Sequence, residues 1–246
     1  MDPFSFPPFA AVLDGAAALI TGLTSAFATV APTGVAALAA IALVTLAVRA
    51  ALLPVGLANA RAQVARGRLA PRLRELQRRH RKDPTTLSRK TQELYAAEGV
   101  SPFAGVLPTL LQIPVVSVVY GVFTRTTVAG HANALLAHTV LGTPLGASFG
   151  QLIAAGAFDQ LALPLTLLAV IAAVALVSRR LALQSARQVD PGAPEPTRLA
   201  RVLGWLPLLS VVFAAIAPVA ASVYLMVSMS WTSAERTIAV RRYLTA

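Results

Sequence analysis

The stretch VLGWLPLLSVVFAAIAPVAASVYLMVSMSWTSA, residues 202–234, determines how this chain must fold, because its 33 residues contain no Asp, Glu, Lys or Arg. As one helix it would be about 50 Å long at about 1.5 Å per residue, too long for an upright span of a bilayer core about 30 Å thick. Pro218 lies near its middle, where a proline interrupts a helix because it lacks the N–H donor. The stretch therefore predicts two short membrane spans, 202–217 and 218–235.

The rest of the chain is similarly apolar. Of its 246 residues 56% are hydrophobic and 13% are charged, whereas soluble domains carry about 25% charged residues. This composition excludes a soluble globular domain. Further apolar stretches predict spans at 34–57, 103–124 and 161–178. The expected fold is an all-α polytopic membrane protein with five transmembrane helices.

The basic residues predict the orientation in the membrane. The chain has 21 Lys and Arg against 10 Asp and Glu, for a net charge of +11. With five spans, nineteen of the 21 basic residues fall on one side, in segments 58–99, 179–201 and 236–246. Arg and Lys next to spans stay in the cytoplasm. We therefore expect a plasma-membrane protein with the N-terminus outside, the C-terminus in the cytoplasm and an external loop at 125–160.

The first 33 residues form a separate external segment in this prediction. Leu19, Leu23, Phe27 and Val30 share one helical face, with Thr and Ser largely elsewhere. This pattern favours an amphipathic helix lying at the outer membrane surface over a sixth span.

The basic segment 58–99 predicts a cytoplasmic helical hairpin. Asp83 and Pro84 are typical of a helix start, as N-cap and first helical residue, and Gly99 is a typical helix stop. Two apolar stripes can pair across the hairpin: Leu69, Leu73 and Leu76 on one helix, and Leu87, Leu94 and Tyr95 on the other.

Arg49 is the main candidate functional residue, because it is the single charge in the first predicted span. A charge at depth in a membrane helix costs about 2.5–3.5 kcal/mol on insertion scales, and none of the uncharged stretches offers a carboxylate to pair with it. Either Arg49 reaches the cytoplasmic interface along its aliphatic stem, or it lines a hydrated cavity open to the cytoplasm, which we favour. Gln112 in the second span either lines the same cavity or bonds a neighbouring helix.

Other chemistries have little support in the sequence. Without cysteine, thiol catalysis and Cys-ligated zinc are excluded. GASFG at 146–150 matches a hydrolase nucleophile motif by letter, but every histidine precedes Ser148, and a flexible external loop is the better interpretation. His131 and His138 lack metal-site spacing, so no metal is expected. The positive-inside rule accounts for the charge without nucleic-acid binding.

Three stretches together resemble the YidC/Oxa family of membrane protein insertases. They are RAALLP at 49–54, GVSPFAGVLPTLLQIP at 99–114 and PVAASVY at 218–224. The resemblance covers about Gly34 to Arg242. Besides Arg49 and Gln112, the positions that match the family motifs are Pro54, Pro102, Gly105, Pro108, Pro114, Pro218 and Tyr224.

The resemblance implies five spans around a hydrophilic groove that is open to the cytoplasm and to lipid. It places Arg49 and Gln112 in that groove, with no enzyme chemistry and no cofactor. The implied partners are nascent membrane proteins and membrane lipids, with the Sec translocon and the ribosome left open. The chain departs from the usual family residues at Ser101, Val106, Ala220, Leu225 and Met229.

The function expected from the sequence is therefore insertion of nascent membrane proteins through a groove that contains Arg49. Two alternatives remain open at this point. An intramembrane arginine also suits an anion or small-solute transporter or channel, and a membrane helix bundle could serve as an assembly factor that translocates nothing.

Overall fold

The computed structural model describes residues 7–99, 117–118, 120–125, 127–128, 131–189, 192 and 198–245. The chain forms two compact units. One consists of Met1–Ala51, Ile113–Val177 and Trp205–Trp231, and the other of Leu52–Gln112, Ser178–Gly204 and Thr232–Ala246.

Helices dominate the described residues. They are α1 (Pro7–Phe27), α2 (Thr33–Ala51), α3 (Leu53–Arg79), α4 (Pro84–Ala97), α5 (Ala134–Ala137), α6 (Phe149–Ala154), α7 (Ala162–Val189), α8 (Arg198–Leu203), α9 (Leu209–Ile216) and α10 (Val219–Thr245). Residues 117–118 and 120–124 are also helical. The strands are β1 (Thr127–Val128), β2 (His131–Ala132), β3 (Thr139–Val140) and β4 (Thr143–Pro144). The all-α class is confirmed, and the two small ribbons were not predicted.

Three helical segments in the described part of the chain are long and apolar enough to cross a membrane: Ala10–Phe27, Thr33–Ala51 and Ala162–Gln188. The apolar helical segment Arg201–Ile216 is shorter. Most of the predicted span 103–124 lies outside the described residues. The chain is therefore a polytopic membrane protein, while the number of five spans stays a prediction.

The predicted span 34–57 is not one continuous helix. We expected a helix over 34–57, but α2 ends at Ala51 and α3 begins at Leu53. The reason is Pro54, which occupies the first turn of α3. A proline fits there because the first N–H groups of a helix have no intrahelical partner, whereas inside a helix it would remove a hydrogen bond.

Helix α1 packs against α2 and has apolar residues on both sides. Leu13 and Ile20 belong to the same buried core as Ala37 and Ile41 of α2. On the outer side, Leu19 is 55% exposed. Residues Ala10–Phe27 are long and apolar enough to cross a membrane, and whether this helix spans the membrane or lies at its outer surface stays a prediction.

The segment 125–160 contains ordered local structure that the sequence did not predict. Strands β3 and β4 form an antiparallel hairpin in which Val140 pairs with Thr143. Leu141 and Gly142 between them have φ values of +51° and +79°, as a two-residue hairpin turn of type I′ requires. Gly34 at the start of α2 lies so close to β3 that an added Cβ would be 1.9 Å from the carbonyl oxygen of Thr139.

This segment also caps the last helix. The backbone N–H groups of Val219 and Ala220 donate to the carbonyl oxygens of Ala147 and Leu145 at 2.9 and 3.0 Å. The first N–H groups of a helix need partners from elsewhere. We expected Ser148 to lie in a flexible loop, and this was wrong. Ser148 is buried and is the N-cap of α6, where its hydroxyl oxygen accepts the N–H of Gln151.

The helix interruption expected at Pro218 is present, since α9 ends at Ile216 and α10 begins at Val219. Pro218 has no N–H to offer the carbonyl four residues earlier, at Ala214. The hydroxyl of Ser222 donates to that carbonyl oxygen instead, at 2.9 Å. A buried serine thus satisfies the acceptor that the proline leaves open.

In the second unit, α3 and α4 form the helix pair predicted for 58–99. Asp83 is the N-cap of α4, with its carboxylate accepting the N–H of Thr86 at 3.0 Å. Gly99 follows α4 with φ +62°, in the left-handed region that glycine adopts at low cost. Leu69 is buried, and Leu73, Leu76 and Leu87 are half-buried.

Candidate functional site

One face of α2 changes from apolar to polar along its length. Ala37, Ile41, Thr45 and Arg49 follow at intervals of four residues and therefore lie on the same side of the helix. Ala37 and Ile41 are fully buried and Thr45 is 4% exposed. The Thr45 hydroxyl is satisfied within the helix, donating to the carbonyl oxygen of Ile41 at 2.7 Å. Arg49 is the first charged group on this otherwise buried face.

Arg49 is held by Ser228 of α10. Its Nε donates to the Ser228 Oγ at 2.8 Å, and its Nη2 donates to the same oxygen. Ser228 is 3% exposed, so the hydroxyl that fixes the guanidinium lies inside the helix packing. Two N–H groups converging on one acceptor restrict both the position and the tilt of the guanidinium plane.

The contact orients Arg49 without neutralising it. A hydroxyl carries no formal charge, and among the described residues no carboxylate lies within salt-bridge distance of Arg49. In surroundings of lower polarity than water, the field of the guanidinium reaches further than it would in bulk solvent. The site therefore presents a fixed positive charge, which attracts acidic or strongly polar groups.

Tyr224 lies one helical turn before Ser228 on the same side of α10. Its ring packs on Phe123, with a centroid distance of 6.3 Å and an interplanar angle of 39°. Tilted aromatic pairs at this distance are favourable. Phe123 is 2% exposed and Tyr224 is half-buried. The family-motif tyrosine therefore supports the helix that carries Ser228.

Two other predicted site residues, Pro54 and Pro218, lie at helix boundaries. Pro54 begins α3, and Pro218 separates α9 from α10. The rest lie outside the described residues: Gln112, Pro102, Gly105, Pro108 and Pro114. Whether Gln112 joins the Arg49 site thus stays a prediction. In the part of the chain that the structure describes, no cluster of His, Asp and Glu could hold a metal ion.

Ser228 is the functional candidate that sequence reasoning missed. The only signal was a serine in the last uncharged stretch, four residues after Tyr224. Ser222 and Ser230 lie in the same stretch, and they have different partners, the carbonyl oxygens of Ala214 and Met226. Sequence alone does not distinguish the serine that faces Arg49 from those that bond backbone oxygens.

Apolar helices long enough to cross a bilayer, together with a buried serine that holds a cation, define an all-α polytopic membrane protein with a polar site among its helices. The chain matches the family described as 60Kd inner membrane protein over residues 30–245 and belongs to that family. This confirms the resemblance to the YidC/Oxa family.

Individual relatives match over shorter regions, and each bears the name membrane protein insertase YidC. The protein of Granulibacter bethesdensis is 37% identical over 93 residues, which are 38% of this chain and 16% of that protein. The protein of Clostridium perfringens is 34% identical over 85 residues, 35% of this chain and 36% of that protein. The protein of Paraburkholderia phymatum is 36% identical over 83 residues, 34% and 15% of the two chains. The matched region thus spans about a third or less of these relatives.

Proposed function

We propose that this chain is a membrane protein insertase and that its Arg49–Ser228 site receives the polar part of a nascent membrane protein. The observation that carries the proposal is the contact itself: an arginine on a buried helix face, fixed by a buried hydroxyl and left with its charge. The names of the relatives and the family match support the same class of function.

The physical role of the site is to lower the barrier for a hydrophilic segment. Peptide groups and charged side chains lose their hydrogen bonds to water when they enter hydrocarbon, at a cost of several kcal/mol per unsatisfied group. A hydrated groove that contains Arg49 would offer such a segment a polar binding site inside the membrane, between the cytoplasm and the outer side. Acidic residues in the translocated tail would gain most, because the guanidinium attracts them directly.

Release needs no chemical fuel in this scheme. Once its polar part has crossed, the apolar segment of the substrate moves from the groove into lipid, and burial of apolar surface away from water drives that step. The proposed partners are therefore nascent membrane proteins and the surrounding lipids. No covalent intermediate and no cofactor take part.

The orientation that we propose has the α3–α4 hairpin and the C-terminal end of α10 in the cytoplasm, where most of the basic residues would lie. The substrate would reach Arg49 from that side, because Arg49 lies in the last turn of α2, close to the beginning of α3. The short apolar segment Arg201–Ile216 would thin the bilayer locally and shorten the path across it.

The test is an insertion assay in a bacterial strain depleted of its own insertase. Arg49→Ala should impair insertion of a substrate with an acidic translocated tail by about tenfold or more, whereas Arg49→Lys, which keeps the charge, should largely preserve it. Full insertion of such a substrate by Arg49→Ala would contradict the proposal.

An anion transporter is the competing function that an intramembrane arginine also suits. Purified protein in liposomes distinguishes the two. Anion flux that depends on Arg49, with normal insertion by Arg49→Ala, would favour transport; insertion that depends on Arg49, without flux, supports the insertase.

A further inference from the structure

Four arginines form a stripe along α3. Arg61, Arg68, Arg72 and Arg79 follow at spacings of seven, four and seven residues, so at 3.6 residues per turn they lie on one side of the helix. A basic stripe in a cytoplasmic segment would ordinarily be solvated and unpartnered. Here each of the four has a partner within the chain, and for two of them the partner is the end of α10.

Tyr243 is the residue to which both of those arginines bind. The Nε of Arg61 donates to the Tyr243 hydroxyl at 2.7 Å, and its guanidinium lies over the Tyr243 ring at 5.0 Å from the centroid. Two helical turns further along α3, the Nη2 of Arg68 donates to the Tyr243 carbonyl oxygen at 3.0 Å. Hydroxyl, ring and backbone of a single residue are thus engaged by α3. We call Arg61, Arg68 and Tyr243 the tail clasp.

A second contact between the same two helices lies two turns earlier on α10. Gly56 of α3 lies against the side chain of Glu235, so that a Cβ at Gly56 would fall 1.4 Å from the Glu235 Oε1. A glycine lets the carboxylate approach the helix backbone closely. Glu235 with Gly56, and Tyr243 with Arg61 and Arg68, place the C-terminal part of α10 beside α3, and the contacts follow in the same chain order on both helices.

The stripe also contacts the residue that follows the second helix of the hairpin. Arg72 forms an ion pair with Glu98, which directly follows α4. By contrast, the Nε of Arg66, on another side of α3, donates to the carbonyl oxygen of Ala62 in its own helix. Three arginines of the stripe, Arg61, Arg68 and Arg72, therefore contact α10 or the end of α4, whereas Arg79 pairs with Glu75 of α3 itself.

We propose that Tyr243 is a positioning residue: through the tail clasp, the end of α10 holds α3, and with it the α3–α4 hairpin, in one orientation beside it. Its consequence for insertion rests on the proposed function, in which the hairpin and the C-terminal end of α10 are on the cytoplasmic side, from which the substrate approaches. The clasp consists of exposed and half-exposed polar contacts, which are individually weak. It therefore biases the hairpin towards one orientation and still allows it to open.

The experiment measures the distance between the two helices in the full-length protein in lipid nanodiscs. Because the chain has no cysteine, spin labels can be placed at Gln77→Cys on α3 and Ile238→Cys on α10. Both positions are exposed, Ile238 at 68%. We expect a narrow distance distribution in the otherwise unchanged protein.

Two variants release the clasp in different ways. Tyr243→Ala removes the ring and the hydroxyl, and the double variant Arg61→Ala/Arg68→Ala removes all three contacts. Both should broaden the distribution, and backbone amides of 58–79 should exchange about tenfold faster. Tyr243→Phe, which keeps the ring and the carbonyl, should remain close to the parent. The double variant Arg66→Ala/Arg78→Ala loses the same charge from the same helix and serves as the matched control.

The possible outcomes separate the two proposals. The clasp would be overturned if the distance distribution stayed unchanged in both clasp variants, or if it broadened equally in the charge-matched control. This conclusion would not depend on the function of the protein. Broadening confined to the clasp variants supports it even if Arg49→Ala inserts substrates normally and the insertase proposal fails. If the clasp variants broaden and insert substrates at the parent rate, the clasp holds the hairpin but has no role in insertion, which overturns that part of the inference.

Discussion

The guanidinium of Arg49 and the hydroxyl of Ser228 meet at 2.8 Å although they lie 179 residues apart in the chain. The contact joins the last turn of α2 to the middle of α10 and determines the direction in which the charge points. An arginine that was merely extending to the membrane surface would have no need of a buried acceptor. The pairing therefore suggests that the position of the charge, as well as its presence, matters for function.

We predict that Ser228→Ala weakens insertion of substrates with acidic tails about tenfold. The loss of an acceptor for a charged, part-buried donor costs about 1–3 kcal/mol, and the guanidinium would no longer be held in one orientation. Ser228→Thr keeps the hydroxyl and should retain most activity. The matched control is Ser230→Ala, since the Ser230 hydroxyl bonds the carbonyl oxygen of Met226 in its own helix. Equal losses in Ser228→Ala and Ser230→Ala would show that Ser228 has no special role.

A pair of glycine substitutions tests the packing of the first unit. Gly34→Ala should lower the thermal midpoint, because its Cβ would lie 1.9 Å from the backbone oxygen of Thr139 and relieving such overpacking costs about 1–3 kcal/mol. Gly22→Ala is the control, since no atom lies within 4 Å of its added Cβ. It should leave the midpoint unchanged or raise it, because alanine is the better helix former. The measurement is thermal unfolding in detergent, and equal midpoints for the two variants would contradict the close approach of α2 and β3.

The orientation can be tested by labelling single cysteines from the two sides of the membrane. Ala134→Cys should react from outside and Ala193→Cys only from the cytoplasm. Ser5→Cys reports on α1. A helix that packs along α2 and has apolar residues on both sides should cross the membrane, so we expect Ser5→Cys to be protected from outside reagents. Reaction of Ser5→Cys from outside would instead restore the interfacial position expected from the sequence.

The start of α4 should depend on pH through Asp83. Hydrogen bonds from the side chain and the backbone N–H of Thr86 lower the pKa of the Asp83 carboxyl below its ordinary value. The pKa of this carboxyl is therefore lower in the folded state than in the unfolded state. Such a group stabilises the fold fully when the pH is above the unfolded-state pKa, and the stabilisation is lost as the pH falls through the folded-state pKa. The N-terminal amides of α4 should therefore exchange faster, relative to those of α3, in acid. Asp83→Asn, which can still cap a helix, should abolish the pH dependence, and an undiminished dependence in Asp83→Asn would assign it to another group.

The sequence predicted those features that depend on local chemistry. Arg49 was identifiable because a charge in an apolar span is costly, and Asp83 because capping residues lie next to the helices they start. The helix interruption at Pro218 was equally visible, because a proline lacks the N–H donor. The stretch 34–57 was predicted as one span because it contains a single charge, and charge does not show where one helix ends and the next begins.

Several features that the sequence did not predict depend on contacts between distant segments. In the sequence, Ser228 cannot be distinguished from Ser222 and Ser230, and only the packing of the helices shows that Ser228 contacts Arg49. The carbonyl oxygens of Leu145 and Ala147 cap α10 because the chain turns there, a property that has no residue signature. Nothing in the sequence near Tyr243 indicates that it contacts Arg61 and Arg68 of α3.

The most direct test of the central claim is photocrosslinking from the site to a ribosome-stalled nascent membrane protein. A photoreactive aromatic residue would replace Tyr224, which shares a face of α10 with Ser228, and in a second variant Gln112. Val212, which is 54% exposed on α9, serves as the control position. We predict crosslinks to the nascent chain from 224 and 112, weakened by Arg49→Ala, and crosslinks to lipid alone from 212. Crosslinks to lipid alone from all three positions would contradict the claim that the Arg49–Ser228 site receives a substrate.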